Sequence, residues 1–242
     1  EYEEFQAARG YLKLANKFFL NRSIDLINKG YFRSLSIETK KANINILLET
    51  YVAMIIFSSL LGFFVGLIVM VFLLFISLSF VWPIFSLYDG SILIRLAQVF
   101  WVPLVLPGLV FFVLYIYPSS EKKSIAKQVE QELPFAVIHM SAISGSGIEP
   151  SEIFKIIGLS KEYPALRKEI RKILNQINLY GYDLVTALTN VSKTTPSPRL
   201  AELFSGLSTT IHSGGDLKDF FEKRAETLLV SYRLDREKYT RV

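Results

Sequence analysis

The chain has 242 residues, 51% of them hydrophobic and none of them cysteine. That length supports a sizeable core, and the lack of thiols excludes disulfides, thiolate metal sites and a cysteine nucleophile. Its 27 basic and 22 acidic residues interleave to a net charge of +5, which leaves no basic stripe for nucleic acid.

Residues 1–49 mix polar and apolar types, and the spacing of Tyr11, Leu12, Ala15, Phe18 and Phe19 predicts a helix. The chain begins at Glu1 rather than Met, which suggests a processed or excised piece. From Thr50 to Tyr88, and again from Leu96 to Ser120, no Asp, Glu, Lys or Arg occurs. A transmembrane helix needs about 20 apolar residues, so both runs read as spans. The charged segment ahead of the first run argues against a secretory signal.

The first span is expected near 51–75 and an exposed connection near 78–96, broken at Trp82-Pro83 and turned at Asp89-Gly90. The second is expected near 97–117, kinked by Pro103 and Pro107. Basic residues lie before the first span (Lys29, Arg33, Lys40, Lys41) and after the second (Lys122, Lys123, Lys127), whereas the connection holds only Arg95. The positive-inside rule therefore puts both ends in the cytoplasm and the connection outside. Ser58, Gly62 and Gly66 form a small-residue stripe on which spans can pack closely, although glycine is also common in membrane helices generally.

From Glu121 onward the pattern predicts helices only. Pro134 suits a first helical turn, and Glu149-Pro150-Ser151-Glu152 opens another helix. Leu166, Ile170, Ile173, Leu174 and Ile177 form one apolar stripe. Leu200, Leu203, Phe204, Leu207 and Ile211 form another. Three phrases punctuate this region. Gly145-Ser146-Gly147, Gly181 with Asp183, and Gly214-Gly215 with Asp216 each join a helix stop to a helix start, and Gly147, Gly181 and Gly215 lie 34 residues apart. Glycine ends a helix in the left-handed region, for which Gly181 and Gly215 are the candidates. An acid close behind caps the next helix. Three such phrases predict three helical hairpins in a six-helix bundle. A tetratricopeptide array has the same period, but its Trp, Leu-Gly and Tyr positions are missing.

The expected fold is all-α: a cytoplasmic helical segment at 1–49, two spans with a short external loop at 50–118, and a cytoplasmic bundle at 119–242. Catalytic signals are weak. There is no phosphate-binding loop, and Gly145-Ser146-Gly147 fails the dinucleotide fingerprint. His139 and His212 lack a carboxylate at zinc-ligand spacing, so no metal site is expected. The serines at 144–151 have no histidine in a recognisable relation. Glu130 and Glu132 can be read as an acid–base pair, but a solvated helix face is the better expectation. The spans lack the ionisable residues that transporters carry. No catalytic residue, cofactor or metal is expected.

"ELPFAVIHMSAISGSGIEPSEIF", "LYGYDLVTAL" and "LSTTIHSGGDLKDFFEKRAETL", in that order, resemble the type II secretion F domain found in platform proteins of type IV pilus-like machines. "KANINILLETYVA" resembles the archaeal branch, which includes the archaellum assembly platform. Where the bacterial family often has Gly-Glu-x-x-Gly, this chain has Ile211-His212-Ser213-Gly214-Gly215, so no acidic site is carried over. Full-length archaeal members are longer, with further spans and a second F domain, so the chain resembles an N-terminal half.

The resemblance implies a non-enzymatic platform in the cell membrane that holds a hexameric secretion ATPase and gathers pilin or archaellin subunits. It does not choose between archaellum and pilus. Lipid is a further partner, a homodimer is the expected assembly, and nucleic acid is not a partner. Candidate ATPase-facing residues are Glu149, Glu152, Asp183, Asp216, Lys218 and Asp219, although their acids equally suit helix capping. The alternatives are a subunit of a membrane transporter or small-molecule membrane enzyme, and a receptor whose external loop is too small for the role.

Overall fold

A computed structural model describes residues 10–78, 85–87 and 90–240 of the chain. Trp82, Pro83 and Asp89 lie outside the described residues, as do Arg241 and Val242. The regular elements among the described residues are helices apart from one short antiparallel strand pair, and the chain divides into two compact units, 1–120 and 121–242.

The first unit holds α1 (Tyr11–Asn28), α2 (Arg33–Lys41), α3 (Leu48–Phe75), β1 (Ile76–Leu78), β2 (Phe85–Leu87), α4 (Ile92–Val99) and the start of α5 (Val102–Ser144). β1 pairs with β2 through Ile76–Leu87, Ser77–Ser86 and Leu78–Phe85. The core gathers at the start of α3, where Tyr51, Val52 and Ile55 meet Phe32 and Leu35. Farther along α3 the large side chains face outward, with Phe64 52%, Ile68 69% and Phe75 62% exposed. Leu104, Leu109, Phe112 and Val113 do the same on α5. Burying one such side chain is worth about 1.5–3 kcal/mol. Leaving these seven in water would therefore forfeit roughly 5–10 kcal/mol at half weight, comparable to a whole domain's stability of about 5–15 kcal/mol. These surfaces fit a lipid solvent. The 28 residues of α3 reach about 42 Å, enough to cross a hydrocarbon core of about 30 Å. Two helical stretches, Leu48–Phe75 and the run from Ile92, are apolar and long enough to cross a membrane.

Two expectations for this half are corrected. The second apolar run breaks at Phe100-Trp101, so Pro103 sits in the first turn of α5 and the bend falls before it. Proline fits there because a first-turn N–H has no helical partner. The helix α4 already begins at Ile92, inside the expected connection. The helix expected from Tyr11, Leu12, Ala15, Phe18 and Phe19 is α1; it buries Ala15 and Ser23 and leaves Tyr11 and Phe18 41% and 63% exposed.

The second unit contains the rest of α5 with α6 (Pro150–Leu159), α7 (Pro164–Tyr180), α8 (Leu184–Thr194), α9 (Pro198–His212) and α10 (Leu217–Thr240). All six helices send side chains into one core, including Leu133, Val137 and Met140 of α5, Phe154, Ile170, Leu188, Phe204 and Phe221. Phe154 and Phe204 meet edge to face, with ring centres 6.2 Å apart. Helix α6 packs on α7, α7 on α8, α8 on α9 and α9 on α10. Pro134 does not begin a helix; it lies buried inside α5.

Candidate functional site

The second unit has two unlike ends. The first is formed by the glycine turns. Gly147, Gly181 and Gly214 adopt positive φ of 74°, 68° and 69°. Gly181 stops α7, its N–H donating to the Ile177 carbonyl and that of Tyr182 to Gln176. In the third turn the left-handed residue is Gly214, not Gly215. Gly215 has its N–H on the Thr210 carbonyl, and a Cβ there would stand 2.9 Å from Thr210 Cγ2. The two glycines are indistinguishable in sequence; which one reverses the chain is set by how Gly215 packs against α9.

The acids follow directly. Asp183 caps α8: Oδ2 accepts from the Thr186 N–H at 3.0 Å and Oδ1 from its hydroxyl at 2.6 Å. The Thr186 hydroxyl and then its N–H hold the Asp183 carboxyl below the usual range. Asp216 accepts from the N–H groups of Lys218 and Asp219 at 2.8 and 3.2 Å. Asp219 pairs with Lys223 at 2.7 Å, and that hydrogen bond raises the lysine's pKa. Lys218 approaches Glu222 at 3.7 Å. Glu149 precedes α6 and accepts from Ser151, while Glu152 pairs with Lys155 in the first turn.

Contacts bring the three turns to one end. The Lys218 side chain passes Gly145, where a Cβ would lie 3.5 Å from it, joining the first turn to the third. Thr189 of α8 bonds Ser208 of α9 at 3.0 Å, and Ser208 reaches the Val185 carbonyl at 3.5 Å, so the start of α8 lies by the end of α9. The result is a surface of helix N-termini and exposed charges of both signs. His212, the last residue of α9, belongs to it. Among its described residues there is no arrangement of nucleophile, base and orienting group.

The opposite end is organised by the two carboxylates read in sequence as a solvated face, and that expectation is corrected. Glu132 accepts from the backbone N–H groups of Ala165 at 3.1 Å and Leu166 at 2.8 Å, capping α7 from another helix. Negative charge there offsets the positive end of the helix. Glu130 accepts from Ser197 Oγ at 3.1 Å, and Ser197 in turn accepts from the Leu200 N–H to cap α9. Arg199 ties this end to α10, binding Asp235 at 2.8 Å and approaching Glu130 at 3.8 Å. Its guanidinium draws the Asp235 carboxyl below the ordinary range. A 290 Å³ cavity beside them is lined by Lys127, Tyr232, Arg236 and Lys238 among others. His139 is exposed, its ring edge-on to Tyr163 at 6.4 Å. No group of three metal-binding side chains occurs among the described residues.

In the first unit the glycine stripe meets prolines. Gly62 and Gly66 are buried, and a Cβ on Gly66 would fall 2.8 Å from the Pro103 Cα. A Cβ on Gly62 would lie 3.4 Å from the Pro107 Cα and 3.2 Å from Val110. Ser58 stands apart from this seam, bonded to the Met54 carbonyl and to Tyr11. Two further contacts have no sequence signal. Pro118 lacks the N–H that would bond the Leu114 carbonyl four residues back, and the Tyr51 hydroxyl donates to that carbonyl at 2.8 Å. Arg95 reaches the Leu73 and Ile76 carbonyls at 3.0 and 3.2 Å, placing a cation at the C-terminus of α3.

Residues 136–242 match the family model described as Type II secretion system (T2SS), protein F. Curated relatives come from Methanocaldococcus jannaschii. An uncharacterized protein is 28% identical over 123 residues, covering 51% of this chain and 20% of that protein. A second is 26% identical, covering 53% of this chain and 38% of that protein. Flagella accessory protein J is 24% identical over 149 residues, covering 61% of this chain and 25% of its own length. The chain thus spans 20% to 38% of the length of these relatives. No solved structure matches.

Proposed function

Because residues 136–242 belong to the type II secretion system protein F family, whose members are membrane platform proteins, we propose that this chain is part of a non-enzymatic platform for an archaeal type IV pilus-like filament. In this reading α3 and the apolar part of α5 hold it in the cell membrane, with both flanks cytoplasmic. The turn end of the second unit docks a hexameric secretion ATPase, and the spans gather filament subunits. The observation that carries the reading is the F-domain match in the same chain as two apolar helices whose outward side chains need lipid. The turn end supports docking because it offers exposed charge on stiff helices closed by a shared core. The name of the accessory protein J relative favours the archaellum branch.

The test is affinity purification of the membrane-extracted protein from its own cells. A secretion ATPase retained at low salt and depleted at high salt is the expected result. Recovery of a metabolic enzyme or a transport partner in its place would overturn the reading.

A further inference from the structure

Helix α1 crosses α3 in an unusual place. Its Ala15 is fully buried, and the Tyr11 hydroxyl lies 2.7 Å from Ser58 Oγ. The rings of Tyr11 and Phe19 both approach Phe57, at 5.2 and 6.2 Å, and Asn16 Nδ2 donates to Thr50 Oγ1 at 3.1 Å. Ser58 lies eight residues into the charge-free stretch that begins at Thr50, about 12 Å along the helix. The first half of α1 therefore lies beside α3 where that helix has already lost every charge.

The outer surface of α1 changes along its length. Tyr11, Leu14 and Phe18 are 41%, 50% and 63% exposed, and at 3.6 residues per turn they fall within a sector of about 60°. Lys13 and Lys17 are exposed on the neighbouring sector. Past Phe18 the exposed positions become Asn21, Arg22, Asp25, Asn28 and Lys29, with Ile24 the apolar exception. An apolar strip flanked by lysines is what an interfacial helix presents to lipid, its apolar face about 5–10 Å into the headgroup boundary. Lysine stems lie along the apolar layer while their ammonium groups reach phosphates. On α3, Leu60, Leu61 and Phe64, the next residues past the Tyr11–Ser58 contact, are exposed as well.

We propose that α1 lies in the membrane–water interface, with Leu14 and Phe18 against acyl chains and Lys13 and Lys17 against anionic headgroups. The proposal rests on the membrane reading of α3, and the experiment separates the two. Single cysteines replace Leu14, Phe18, Asn21, Asp25 and, as a marker for α3, Ile68 in the cysteine-free chain. Each is spin-labelled, and the protein is reconstituted in vesicles of phosphatidylcholine and phosphatidylglycerol. Labels at Leu14→Cys and Phe18→Cys should relax several-fold more with oxygen than with a water-soluble nickel complex, and those at Asn21→Cys and Asp25→Cys the reverse. Replacing Lys13 and Lys17 with Gln should move the Leu14→Cys label toward water. Nickel access at Leu14→Cys and Phe18→Cys equal to that at Asp25→Cys, shielding from both relaxants, or no response to the lysine replacements would overturn the proposal. Nickel access at Ile68→Cys would instead overturn the membrane reading itself.

Discussion

Single residues at the helix ends of the second unit set its geometry, and each can be tested alone. Glu132 supplies the acceptor for two amides that begin α7. Glu132→Ala leaves them without this partner, and an unsatisfied donor costs about 1–3 kcal/mol. Glu132→Gln keeps one acceptor oxygen and should lose less; equal melting temperatures for both variants and the parent would refute the capping role. At Gly181 and Gly214 a Cβ would occupy the left-handed region, so Gly→Val at either should cost about 1–2 kcal/mol, and Gly→Asn clearly less. Asp183 and Asp235 titrate below their ordinary range in the fold. Their contribution is therefore fully present above the unfolded value of about pH 4 and is lost as pH falls through the depressed folded values. The protection factor of the Thr186 amide, its exchange rate divided out by the intrinsic rate at each pH, should fall over that acidic window, and Asp183→Ala should remove that fall; a protection factor that stays constant in the parent would contradict the cap.

At the scale of elements, local signals and tertiary ones part company. Pro150 opens a helix, Asp183 and Asp216 cap two others, and the apolar stripes of α7 and α9 turn inward. All of these were legible because each depends on neighbours a few residues away. What was not legible spans the chain: Glu132 with Leu166, Glu130 with Ser197, and Tyr51 with Leu114 are 34, 67 and 63 residues apart. Pro134 misled for the same reason, since its place inside α5 depends on the core around Leu133 and Val137. The Tyr51 bond gives a sharp test. Tyr51→Phe removes the donor to the Leu114 carbonyl, a loss of about 0.6–1.7 kcal/mol in a membrane. Pro118→Ala restores a backbone N–H four residues on, so Tyr51→Phe should cost less in that background. Equal costs in the two backgrounds would show that the hydroxyl does not stand in for the missing amide.

For the whole molecule, the proposal is that a pair of helices faces lipid and the second unit, in the cytoplasm, docks a motor ATPase. The proposed orientation predicts that an impermeant thiol reagent on intact cells labels Ser91→Cys and spares Lys41→Cys and Lys123→Cys; labelling at either lysine position would reverse or void it. In the proposed platform the turn end of the second unit is the part that holds the ATPase. Lys218 and Asp219 are exposed there, Glu152 is half-buried, and none of the three caps a helix with its side chain, so reversing their charges should disturb docking far more than folding. The most direct measurement is binding of the purified cognate hexameric ATPase to the detergent-solubilised chain, parent against this triple reversal, across a salt series. Parent binding should weaken as salt rises, and binding by the triple reversal should already be weak at low salt while its melting temperature stays close to the parent's. Equal binding of the two proteins at low salt would contradict docking at the turn end.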